Sequence, residues 1–184
     1  MGFQQTNNVE YHPITPIGNE PLQFNINSGQ TYLVLSSNYL VTRFKLTKKE
    51  LGKQVNITNA DCVSFIQGFC GTFIKNLRVS FNGKSVYNGN DLYAYNSYLR
   101  RRLGLGVSRN QGELEAAGYY EDGLDQLSGS GFEARRSLYE NGASFESICT
   151  LDCDIFRQKK LLLNQVKVDI EITPHLLLCF IKHN

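Results

Sequence analysis

The stretch Leu151-Asp-Cys-Asp-Ile-Phe-Arg-Gln-Lys-Lys-Leu-Leu-Leu-Asn-Gln-Val-Lys-Val-Asp-Ile-Glu-Ile-Thr173 decides the fold class, because it reads as two strands around one compact connection. Val166, Val168, Ile170 and Ile172 alternate with Lys167, Asp169, Glu171 and Thr173, the period-two pattern of a half-buried strand. Upstream, Ile148, Cys149, Leu151 and Cys153 supply a second apolar run within a strand expected over 145–153. The basic segment Arg157-Gln-Lys-Lys160 reads as an exposed connection, with Leu161-Leu-Leu163 packing beneath it.

The alternation recurs along the chain. Residues 1–21 are polar and hold three of the four prolines, so they read as an extended arm. Leu22, Phe24 and Ile26 make a short strand, which Ser28-Gly29-Gln30 turns into a second over 32–35. A third strand covers 39–46, with Leu40, Thr42, Phe44 and Leu46 on its apolar side. Residues 47–60 read as a polar loop, and 62–73 read equally as helix or irregular strand. Asn82-Gly83 supplies the two positive-φ residues of a tight hairpin between Leu77–Phe81 and Lys84–Tyr87. Asp91 is a candidate cap for a helix in which Leu92, Tyr95, Leu99 and Leu103 recur at three- or four-residue spacing. A short helix over 111–120, a Gly- and Ser-rich flexible loop over 121–144 and a last strand over 176–181 follow.

Short strands on both sides of a helical middle predict a mainly β chain: an antiparallel β-sandwich, with a jelly roll as the leading architecture and short helical insertions. The expected organisation is an extended N-terminal arm over 1–21 and a single jelly-roll domain over 22–184.

Composition narrows the function classes. With 184 residues the chain fits one domain that needs no metal or disulfide staple. Eleven Phe and ten Tyr against no Trp suit pleated surfaces. A net charge of +2, from 19 basic and 17 acidic residues, gives no support for a dominant nucleic-acid or anionic-membrane surface. The N-terminus lacks the pattern of a secretory signal. Gly2 and Thr6 satisfy a minimal myristoylation pattern that is common by chance. No apolar run approaches the roughly 18 residues of a membrane helix, so the chain reads as soluble, with no membrane partner. The odd set Cys62, Cys70, Cys149, Cys153 and Cys179 suits free thiols in a reducing compartment.

Chemistry-bearing patterns are weak. Cys149 and Cys153 with His175 and Cys179 could in principle converge as four zinc ligands, but the spacing is loose and buried core cysteines are the simpler reading. Ser64, Ser97 and Ser137 sit in no nucleophile-elbow context, and His12, His175 and His183 lie near the chain ends, so no enzyme is expected. Asp152, Asp154, Asp169 and Glu171 read as a solvated face. Gly104-Leu-Gly106 lacks the strand and helix of a dinucleotide site. Arg100-Arg101-Arg102 reads as a solvated helix-terminal cluster more readily than as a contact for an acidic partner or for nucleic acid, and nucleic-acid binding is unsupported. No catalytic, cofactor or metal residue is assigned.

The order of the segments resembles the N-terminal jelly roll of double-jelly-roll major capsid proteins, closest to the Polinton/Maverick and adintovirus-like group. The segments that carry the resemblance are Val9-Glu-Tyr-His-Pro-Ile-Thr-Pro-Ile17, Leu22-Gln-Phe-Asn-Ile26, the strand over 39–46, the segment over 73–84 ending Phe-Asn-Gly-Lys, the helix over 93–105 and the run over 151–172. The resemblance implies a structural capsid protein that assembles with copies of itself, as a homotrimer in the full-length family, and with other capsid proteins in a virion built inside a host cell. Members of that family continue into a second jelly roll, which is expected to be absent here. A trimer of single jelly rolls would supply three sandwich units instead of the six of a pseudo-hexagonal capsomer. Tyr119, Tyr120, Arg135 and Arg136 are the candidate assembly contacts, chosen as exposed loop aromatics and arginines. A monomeric β-sandwich that binds a ligand or glycan through its loops is the alternative.

Overall fold

The computed structural model describes residues 6–18, 21–58, 60–61, 63–104, 111–122, 129–175 and 180–182. In chain order the elements are β1 (Leu22–Asn27), β2 (Leu40–Lys45), β3 (Thr47–Glu50), β4 (Lys53–Asn56), β5 (Val63–Phe65), α1 (Phe69–Thr72), β6 (Ile74–Phe81) and β7 (Lys84–Asn88). They continue with α2 (Tyr93–Gly104), α3 (Gln111–Ala116), α4 (Ser130–Ser137), β8 (Ser144–Cys149), β9 (Lys167–Pro174) and β10 (Phe180–Lys182). The chain is mainly β, and its sheets are antiparallel, as a β-sandwich requires.

The largest sheet has the order β1-β9-β6-β7. Its register explains why the alternation in the quoted stretch is so regular. Leu22, Phe24 and Ile26 of β1 stand opposite Ile172, Ile170 and Val168 of β9, and these stand opposite Leu77, Val79 and Phe81 of β6. Three apolar rows therefore line one face, and their burial across a shared core supplies the driving force for the sheet. The opposite face carries Gln23, Asn25, Arg78, Ser80, Asp169 and Glu171 from the same three strands.

The second pairing, β2 with β8, sets Leu40 against Cys149, Thr42 against Ser147 and Phe44 against Phe145. Phe44 carries this pair into the core, where its ring meets Phe69 edge-on at 4.4 Å and Phe73 at 5.3 Å. Phe65 joins them and meets Tyr139 edge-on at 4.8 Å. The β1–β9 and β2–β8 pairs are nested, the outer joining the chain's early and late strands and the inner joining the next ones in. β5 pairs with β10 through Phe65 and Phe180.

Several expected boundaries change. The strand expected over 145–153 ends at Cys149, so the first half of the quoted stretch is not strand: Asp154–Arg157 is a turn of 3₁₀ helix that seats Phe156 in the core. Residues 32–35 form no strand; they contribute one bridge, Leu33 to Leu162, before a 3₁₀ turn at Leu35–Ser37. The expected loop over 47–60 contains the β3–β4 hairpin, closed by Leu51 and Gly52 at φ of 49° and 79°. The segment over 62–73 is both of its readings in turn, β5 followed by α1. The Asn82-Gly83 turn is formed as expected, with φ of 48° and 77°. The loop expected over 121–144 contains α4 and a 3₁₀ turn, while residues 123–128, including Ser128, lie outside the described residues. Of the last strand only β10 is described. Within the arm, Ile14 donates its backbone N–H to the Gln23 carbonyl at 2.8 Å, which lays the segment along β1.

Candidate assembly surface

Of the four candidate contacts, Tyr119 and Arg135 are buried, whereas Tyr120 and Arg136 are half-buried. Arg135, on α4, is 1% exposed. Its Nε donates to the Phe65 carbonyl at 2.8 Å, its Nη1 to the Tyr120 carbonyl at 2.9 Å and its Nη2 to Asp122 Oδ2 at 3.1 Å. Gln67 completes the knot by donating to the Tyr120 carbonyl and to Asp122 Oδ2 while accepting from the Tyr98 hydroxyl. Tyr119 is 9% exposed, and its hydroxyl accepts from Arg102. Arg136 is half-buried and reaches Glu133 at 3.1 Å and Glu140 at 3.6 Å. The expectation of exposed loop side chains is therefore corrected for Tyr119 and Arg135. A fully buried guanidinium is tolerated only when its donors are satisfied, and here they bind α3, α4 and the connecting chain to β5.

The second departure concerns α2. Recurrence at three- and four-residue spacing ordinarily marks the core face of a helix. Here Leu92, Tyr95, Leu99 and Leu103 are 61, 69, 52 and 81% exposed, and the buried face is Tyr93, Ser97 and Arg101. Asp152, in the turn after β8, organises that face. It accepts from the Ser97 hydroxyl at 2.6 Å and from Arg101 Nε at 2.9 Å through Oδ2, and from Arg157 at 2.9 Å through Oδ1. Its backbone N–H donates to the Tyr93 hydroxyl at 2.7 Å, and Arg101 also donates to the Thr150 carbonyl at 3.1 Å. Gly71 of α1 lets the helix come this close, because a Cβ there would lie 2.2 Å from Ser97 Oγ. Asp91 adopts φ of 60°, with its carboxylate 2.9 Å from Lys75 Nζ.

The triple arginine is not a solvated cluster. Arg100 reaches Asp154 at 2.8 Å, Arg101 is buried on Asp152, and Arg102 turns to Tyr119 and Glu121. The acidic residues divide likewise: Asp154 is exposed, Asp169 and Glu171 are half-buried beside Lys167 and Arg78, and Asp152 is buried.

The cysteines lie in two places. Cys70 and Cys149 pack together with Ala117, and Cys153 lies in the main core. The hydrogen bond between Cys70 and Cys149 draws the Cys70 thiol down and, with burial, pushes the Cys149 thiol well up. Burial pushes Cys153 up. Cys62 and Cys179 lie outside the described residues, and among the described residues no group of three or more His, Cys, Asp and Glu side chains is placed to hold a metal.

Two shallow concavities mark the described surface. One lies between Leu35, Phe81, Val86, Ile155 and Leu162, and the other crosses the polar face of the large sheet beneath Ile14. Neither is lined by a histidine or cysteine. Ser97, the one serine with a carboxylate partner among those singled out by sequence, is fully buried. His175 anchors backbone through its N–H to the Phe73 carbonyl, and burial lowers its pKa. His183 lies outside the described residues. No helix among the described residues is long and apolar enough to cross a membrane.

Several exposed apolar side chains are grouped on the surface. Besides α2, Val41 and Ile148 stand opposite each other on the outer face of β2–β8, beside exposed Tyr39. The arm exposes Val9, Ile14 and Ile17. The α2 stripe was visible in the sequence as a periodicity, but its direction was not. No protein-family model matches the chain, and no curated protein matches it.

Proposed function

We propose that the chain is a capsid-type structural protein, a jelly roll whose work is to pack against copies of itself and against other capsid proteins in a virion assembled inside a host cell. The observation that carries the reading is the set of exposed apolar side chains grouped along α2 and at Tyr39, Val41 and Ile148 on β2–β8, while Arg101, Arg135 and Asp152 are buried. Scattered apolar residues are normal on a surface, whereas contiguous rows mark contact faces. The nested pairing of β1 with β9 and β2 with β8 supports the jelly roll, because rolling up a long antiparallel ribbon brings early and late strands together in that order. The segment-by-segment resemblance to capsid jelly rolls supplies the specific role.

The reading is non-enzymatic. It is supported by the saturation of Asp152 by Ser97, Arg101 and Arg157, which leaves this buried carboxylate in a structural network instead of in an accessible cleft. A monomeric ligand-binding module would use the polar concavity over β1, β9 and β6, but there Arg78 pairs with Glu171 and Lys167 with Asp169. Size-exclusion chromatography with light scattering tests the choice. Discrete multiples of the chain mass support assembly, and one chain mass at every concentration and salt condition refutes it.

A further inference from the structure

The α2 stripe allows one contact of the assembly to be named, an inference that rests on the self-association reading. Leu92, Tyr95, Leu99 and Leu103 form one exposed row that presents on the order of 500 Å² of side-chain surface, near the upper end of the largest patch on an ordinary monomer. The row cannot turn inward. Rotating α2 to bury the leucines would pull Arg101 and Ser97 away from Asp152, and Asp152 would lose two of the three side chains that hold its carboxylate. The fold thus holds an apolar row against solvent by means of a buried ion pair on the far side of the same helix.

We infer that this row packs antiparallel against the same row of a second copy, about a two-fold axis that crosses α2 near its middle. Two features point to a second copy and to this direction. The row is spaced by three, four and four residues, so it reads nearly the same from either end, and antiparallel packing sets Leu92 beside the partner's Leu103 and Tyr95 beside the partner's Leu99. The exposed charges at the ends of the row are already paired within the chain, Asp91 with Lys75 and Arg102 with Tyr119 and Glu121, so each end offers the second copy a neutralised polar rim. The helix dipoles also oppose each other favourably. As for area, a standard interface needs about 800 Å² per partner; the row supplies the apolar centre, and the polar residues beside it, Asp91, Arg102 and half-buried Tyr98, supply a rim. A two-fold contact in which the same patch serves both copies is the commonest closed arrangement of identical chains.

The test uses the full chain. Sedimentation velocity compares the wild type with Leu99→Glu/Leu103→Glu, a change confined to exposed positions; the expected result is association weakened by about a hundredfold or more, with an unchanged circular dichroism spectrum. In parallel, Leu92→Cys is mixed with Leu103→Cys, oxidised and mapped by peptide mass spectrometry against the wild-type thiol background. The expected product is a disulfide between positions 92 and 103, enriched over 92–92 and 103–103. Should the glutamate variant unfold, the cross-link decides alone. A glutamate variant that stays folded and associates as well as the wild type, or cysteine variants that give 92–92 and 103–103 disulfides in preference, overturns this contact and leaves self-assembly standing. A wild type that stays one chain at every concentration overturns both.

Discussion

Arg101 Nε stands 2.9 Å from Asp152 Oδ2, with 7% and 3% of the two side chains exposed, and this pair fixes which side of α2 faces the core. A buried ion pair adds little stability over a well-packed apolar pair, but losing one partner leaves the other charge stranded. Arg101→Met is expected to cost about 3–5 kcal/mol in urea unfolding, and Asp152→Leu a similar amount. Arg101→Met/Asp152→Leu is expected to recover part of that loss. Additive losses in the double variant would show that the two side chains do not act as a pair.

Gly71 is the steric counterpart of that pair. An alanine Cβ would lie 2.2 Å from Ser97 Oγ and 3.3 Å from Ser97 Cβ, so α1 and α2 must move apart. Gly71→Ala is expected to cost about 1–3 kcal/mol, the range for overpacking. Ser97→Ala removes the closer atom, so the double variant should lose less than the sum of the singles, which a double-mutant cycle measures.

Arg135 distinguishes a buried clamp from a surface anchor. An exposed anchor would leave the isolated chain's stability within about 0.5 kcal/mol when truncated. Arg135→Leu strips donors from the Phe65 and Tyr120 carbonyls and a partner from half-buried Asp122. The expected cost is about 3–5 kcal/mol, with earlier proteolytic cleavage around α4 than in the wild type.

Acid should loosen the start of the segment that leads to β5. The Lys48 ammonium, then the Thr58 backbone N–H and hydroxyl, hold the Asp61 carboxyl at about 2, below its ordinary 3.8. A carboxyl whose pKa is lower folded than unfolded contributes stability that is complete above its unfolded pKa and is lost as pH falls through its folded pKa. The contribution therefore disappears between about pH 4 and pH 2. Melting curves should show Asp61→Asn less stable than wild type at pH 6, with the gap closing at pH 2. A gap that widens in acid would contradict the assignment.

The sheet was legible where burial alternates residue by residue. β1, β6 and β9 each carry apolar rows into one core, so their sequences repeat with period two. Asn82-Gly83 was legible because positive φ at both positions is a local property of those residues. The β3–β4 hairpin was hidden because its strands are almost wholly exposed and bury no apolar row that would stand out. The orientation of α2 was hidden for a different reason. Its helical period is local, but the choice of buried face depends on Asp152, about fifty residues later. The same holds for Arg135, whose acceptors lie on β5 and after α3. Local patterning reveals elements, whereas paired buried charges reveal themselves only once the elements meet.

Electron microscopy of the purified full chain at high concentration, over a series of salt conditions, is the most direct test of the claim that this protein is an assembling structural unit. Regular particles or arrays built from a repeating unit larger than one chain are the expected result. A uniform field of isolated objects of single-chain size under every condition would contradict it.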